Sequence, residues 1–169
     1  MGSQTSFVWE ADLNNYAGNA ITITSDSAYQ ITSADHAYGI LNGFTGEAQS
    51  GTINAAAHKL TVEAHGTSNK NAYAILNAGS HLTAGDLVVT ATSTGGGVVG
   101  GIINESAALN STGSITAGNV TVDISGTGNE IYGIRNGAQW VEGVARRPVS
   151  FTAKDIKITG TNPAVILLV

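Results

Sequence analysis

Tyr38-Gly39-Ile40-Leu41-Asn42 returns as Tyr73-Ala74-Ile75-Leu76-Asn77, then as Gly100-Gly101-Ile102-Ile103-Asn104, then as Tyr132-Gly133-Ile134-Arg135-Asn136. The copies fall 35, 27 and 32 residues apart, a mean period of about 31. A block that keeps its internal order while its spacing varies marks a structural repeat with turns of unequal length.

Two more columns keep step with it. One alternates apolar and polar residues: Ile21-Thr22-Ile23-Thr24, Leu60-Thr61-Val62-Glu63, Leu87-Val88-Val89-Thr90, Val120-Thr121-Val122-Asp123 and Ile156-Lys157-Ile158-Thr159. Period-two alternation is the mark of a strand with one buried face. The other column precedes it: Ile53-Asn54-Ala55, Leu82-Thr83-Ala84, Ile115-Thr116-Ala117 and Phe151-Thr152-Ala153. Glycine-containing turns follow most of the alternating segments. No single repeat of this kind can bury its apolar face alone, but stacked repeats bury a continuous core. The expected fold is therefore all-β: a right-handed parallel β-helix with three strands per turn and about 4–5 turns. Residues 20–169 carry the repeats, and residues 1–19 form an N-terminal segment or cap with a first partial turn. An antiparallel sandwich would not require the same three columns in the same order.

Composition agrees. The chain has 169 residues, 22 of them Gly, none Cys, with 11% charged residues and a net charge of −5. So little charge disfavours disorder, and abundant Gly, Thr and Asn disfavour a helix bundle. Without Cys there is no disulfide, thiol catalysis or Cys-ligated zinc. Arg146-Arg147 is the only adjacent basic pair, so nucleic acid is not an expected partner. The longest apolar run, Ala164 to Val169, is too short to cross a bilayer, and direct membrane insertion by this segment is not expected.

The Tyr-Gly-Ile-Leu-Asn and Gly-Asn-Val-Thr-Val columns and their Gly/Thr/Asn-rich turns resemble the passenger domains of bacterial autotransporters and related large surface adhesins. The resemblance covers nearly all of residues 20–169. It implies export to the bacterial cell surface, outer-membrane attachment or secretion, and a β-helical stalk. Val169 falls inside a strand-like run where a further column is due, so the natural protein is expected to continue.

Four sets of residues are candidate sites. Asn42, Asn77, Asn104 and Asn136 share the inward parity of the Ile two residues earlier, and stacked amides can bond along the axis. Tyr38, Tyr73 and Tyr132 share that parity too and are expected in the core. Leu41, Leu76, Ile103 and Arg135, with Gly39, Ala74, Gly101 and Gly133, then form an outer strip, a candidate contact surface or a face covered by turns of the same chain. Trp140, Glu142, Arg146 and Arg147 lie in the longest departure from the repeat, a candidate interaction loop.

Candidate chemistry is thin. Glu63, Thr90 and Asp123 occupy matching outward positions, with Lys157 in a neighbouring column. Two carboxylates two turns apart would be separated by roughly 9–10 Å, a poor fit to a glycosidase pair. His36, His58, His65 and His81 show no metal-ligand spacing and are expected on turns. Asp12, Asp26, Asp86 and Glu105 are expected to be solvated. No cofactor, metal or catalytic residue is expected. The function anticipated is a non-enzymatic adhesin segment, a rigid stalk that contacts cells, host glycans or proteins. A carbohydrate-active β-helix and a self-association module are the alternatives.

Overall fold

The computed structural model describes residues 10–43, 50–106, 112–138, 147–160 and 165–168. Its strands are β1 (Ala11–Asn15), β2 (Ala20–Thr22), β3 (Ser27–Ser33), β4 (Ala37–Asn42), β5 (Thr52–Gly66), β6 (Ala72–Ala78), β7 (His81–Ser93), β8 (Val98–Ser106), β9 (Ser114–Gly126), β10 (Glu130–Ala138), β11 (Ser150–Gly160) and β12 (Val165–Leu168). Every strand pairing among the described residues is parallel. The chain is a β-solenoid of about four turns.

Two stacks build it. One runs β1-β4-β6-β8-β10-β12 and carries the Tyr-Gly-Ile-Leu-Asn blocks. The other runs β11-β9-β7-β5-β2, with β3 also on β5. The long strands each supply two of the three faces. β2 pairs with Thr52–Asn54 at the start of β5, β3 with Leu60–Gly66 at its end, and the register slips between Ala55 and Lys59. The two shorter sequence columns are thus the halves of one bent strand.

Register follows the repeat. Ile53 stacks on Leu82, then Ile115, then Phe151; Leu60 stacks on Leu87, Val120 and Ile156. Side chains of like shape sit above one another at about the 4.8 Å interstrand spacing. All of these but the exposed Ile156 meet Ile40, Ile75, Ile102 and Ile134 from the other stack in one continuous core. The neighbours on β5, β7 and β9 alternate with exposed or half-buried Thr, Asn and Ser, so a one-residue slip would turn the core outward.

β1 belongs to this stack. Its Leu13, Asn14 and Asn15 pair with Ile40, Leu41 and Asn42, so regular stacking begins before residue 20.

Parity in the Tyr-Gly-Ile-Leu-Asn block departs from the expectation. Tyr38 pairs with Tyr73 and Ile40 with Ile75, while Gly39 and Ala74 drop out of the ladder; the same gap recurs at Gly101 and Gly133. At this irregularity two successive residues face the interior. A Cβ on Gly39 would lie 2.5 Å from Val62 Cγ1, and one on Gly101 would lie 2.4 Å from Val122 Cγ1. Ala74, with a methyl group, is fully buried in the main core. The small residues therefore face inward, not onto the outer strip. Tyr38 and Tyr73 are buried, as expected of core residues, but on the other face of the strand: they join Leu41, Leu76 and Ile103 in a second cluster, separate from the Ile core.

Candidate functional site

The interior column is bonded from end to end. Asn15 Nδ2 donates to Asn42 Oδ1 at 2.8 Å, Asn42 to Asn77 at 2.8 Å, Asn77 to Asn104 at 2.7 Å, and Asn104 to Asn136 at 2.7 Å. The second Nδ2 proton is used as well. Asn42 donates to the His81 carbonyl, Asn77 to the Ser80 carbonyl, and Asn104 to the Ser150 carbonyl. The amides thus tie turns together and also hold the corner where each block gives way to the next strand. Asn15 is the rung that the block motif missed; Leu13-Asn14-Asn15 matches Ile40-Leu41-Asn42 only in part. A column fully buried and mutually bonded is closed to ligands, and its chemistry is cohesion.

The outer strip is not open. Leu41, Leu76 and Ile103 are each less than 8% exposed, so of the two readings the covered face holds: the strip is an apolar layer inside the molecule. Tyr38 and Tyr73 pack in it with ring centroids 5.7 Å apart, and the His36 ring stacks parallel to Tyr38 at 6.0 Å. Gly100 interrupts the Tyr column because Ile103 Cδ1 and Tyr73 Cδ1 fill the space, each within 2.9 Å of where its Cβ would stand.

Arg135 ends the aliphatic column, half-buried. Its Nη2 meets Glu105 Oε2 at 2.8 Å, and its guanidinium lies over the Tyr132 ring, 5.6 Å from the centroid. Glu105, expected to be solvated, is buried at 5% exposure. Burial raises its carboxyl above the ordinary carboxylate value, and the Arg135 charge and hydrogen bond only partly oppose that shift. Burial likewise pushes the Tyr73 phenol up to about 12, and that of Tyr38 further. Tyr132 rises chiefly through its hydrogen bond to Glu130. Of the charged groups on this face, Glu105 is desolvated and is paired with the half-buried Arg135.

The opposite faces are open and polar. Glu63, Thr90 and Asp123 are in register on successive turns, with Thr159 after Asp123 and Lys157 in the adjacent column. Each carboxylate has local work. Glu63 Oε2 lies 3.3 Å from His65 Nε2, whose Nδ1 bonds Thr92 Oγ1 at 2.8 Å, while Asp123 accepts from Thr159 Oγ1 at 3.0 Å. Asp12 and Asp26 are exposed and Asp86 is half-buried, as expected of solvated carboxylates. Each also accepts a backbone N–H from a strand: Gln30 of β3, Lys59 of β5 and Asn119 of β9 respectively. His58, His65 and His81 lie on strands β5 and β7 and not on turns; His36 alone is in a turn. Among the described residues, no three His, Asp or Glu side chains are grouped so as to hold a metal ion.

Of the anticipated interaction loop, Trp140, Glu142 and Arg146 lie outside the described residues, and Arg147 is exposed just before β11. No protein family, curated protein or solved structure matches this chain.

Proposed function

We propose that this chain is a non-enzymatic segment of a bacterial surface adhesin of autotransporter type, in which the solenoid is a rigid stalk and its open faces touch cells or host molecules. The observation that carries the reading is the asparagine column. Hydrogen bonds between side-chain amides link the turns from Asn15 to Asn136 beside a continuous core, so bending or extending the rod must break buried hydrogen bonds, each costly to leave unmade. The carboxylates of the open faces support the same reading, because they are occupied with neighbouring side chains and N–H groups.

The test is topological. Antibody raised against the chain is expected to label intact bacteria that make the parent protein, and protease added outside should remove the signal. Labelling that appears only after lysis overturns the proposal. A second reading, self-association, is favoured by Ile156, which is 47% exposed although it continues the buried Leu60–Leu87–Val120 column. Light scattering that shows a concentration-dependent rise in mass, lost in Ile156→Asp, would support it. A strict monomer at high concentration would remove it.

A further inference from the structure

We propose that an open cleft at the corner between β3 and β4 binds a single sugar unit, neutral or amine-bearing. This deepens the contact-surface reading and rests on it. The cleft holds about 540 Å³ and is lined by Glu10, Ser33, Asp35, His36 and Lys70, among others. That volume is in the range of small-molecule sites.

Three features suit a sugar. The first is a pre-set polar rim. Ser33 Oγ bonds the Glu10 carboxylate and accepts the Asp35 N–H, while Asp35 Oδ1 accepts the His36 N–H at 2.8 Å. The turn that carries the site is held before any ligand arrives, which lowers the ordering cost of binding. Second, carboxylates accept hydrogen bonds from hydroxyl groups, and bonds to charged acceptors are the stronger ones. His36 Nδ1 accepts from the Asn71 N–H at 3.4 Å, which ties the ring to the start of the next strand of the stack. Third, the His36 ring, which lines the cleft, lies parallel to the Tyr38 ring with centroids 6.0 Å apart, so a planar group is already in place there.

Charge narrows the class. Two carboxylates, Glu10 and Asp35, face one ammonium, Lys70. A uronate or sialylated unit would meet like charge; an uncharged hexose or an amino-hexose would not.

Saturation-transfer NMR and calorimetry on the 169-residue chain test this with three probes: chitotriose, a glucosamine trimer and a galacturonate trimer. Chitotriose or the glucosamine trimer is expected to bind and the galacturonate trimer not. Affinity should fall about tenfold in Asp35→Asn and in Glu10→Gln, the loss expected for one charged hydrogen bond. Both substitutions keep the acceptor oxygens that hold the turn, and unchanged melting temperatures would confirm it; should either variant melt early, the exposed Lys70→Met decides in its place. Absence of binding, preference for galacturonate, or variants that bind like the parent would overturn the cleft. Sugar binding that ignores all three substitutions would leave the surface-contact reading standing with its site elsewhere. Surface labelling that fails while the cleft binds would overturn the reading and spare the site.

Discussion

At the scale of single residues, two kinds of position carry the fold: amides that must be paired and small residues that must stay small. Asn104→Leu removes the acceptor for Asn77 and the donor to Asn136 and Ser150. Stranded buried groups of this kind cost roughly 3 kcal/mol in total, or roughly 6–12 °C of melting temperature in a chain of this size. An unchanged melting temperature by calorimetry would remove the ladder as a source of cohesion. Gly101→Ala sets a methyl group 2.4 Å from Val122 Cγ1 and 2.6 Å from the Gly133 carbonyl. Overpacking should cost about 1–3 kcal/mol, whereas Ala74→Gly, in the same column, should cost less than a large-to-small core change. Chemical denaturation of both variants checks the contrast. The Asn column was legible because identical residues recur two places after Ile. The inward turn of Gly39, Ala74, Gly101 and Gly133 was not, since strict alternation places them outside. Their uniform smallness was the signal: an open surface would have tolerated larger side chains.

At the scale of elements, the outer face of the Tyr-bearing stack is where sequence and structure part. Alternation located Leu41, Leu76, Ile103 and Arg135 on one face but could not show that the face is buried, because cover comes from elsewhere in the chain and alternation is a local property. Glu105 follows from the same blindness. One acidic residue at a strand end reads as solvated until its burial against Arg135 is known. Its raised folded-state pKa fixes a sign. The corresponding stability is complete below the ordinary carboxyl value near 4.5 and is lost as pH climbs through the higher folded value. Melting temperature should therefore fall across that window in the parent, and the fall should vanish in Glu105→Gln, which keeps an oxygen for Arg135. In Arg135→Leu the carboxyl loses both influences that lower its pKa, so the window should move upward. A pH series that runs parallel in the parent and Glu105→Gln would contradict this. The phenols act at the other extreme. Tyr73, pushed up to about 12, contributes stability that is complete below the ordinary value of 10 and lost as pH rises toward 12.

At the scale of the whole molecule, each turn touches only its neighbours, so stability is a sum of turns and interfaces and not one indivisible unit. The inward positions of β7 and β9 are buried, whereas Phe151, Ala153, Ile156 and Ile158 on β11 are half-buried or exposed. Amide exchange followed by mass spectrometry should therefore find β7 and β9 protected longest and β11 exchanging sooner. Uniform protection would mean that the rod unfolds all at once. The three-column order is enough for the topology, because a solenoid's repeat is written directly in sequence; the cleft beside Glu10 is not legible there, because it joins residues from three separate segments. The asparagine column has one more property. Every bond in it runs in the same sense, each amide from Asn15 to Asn104 donating to the next turn, and Asn136 accepting the last. Aligned amide dipoles add, so the rod carries an electrical axis of its own, negative toward Asn15 and positive toward Asn136. Its first carbonyl is capped by the Asn19 N–H. In the next turn the residue opposite Asn136 is Leu168, which offers no amide. The stack is therefore polar as well as periodic, and its two ends are chemically unlike.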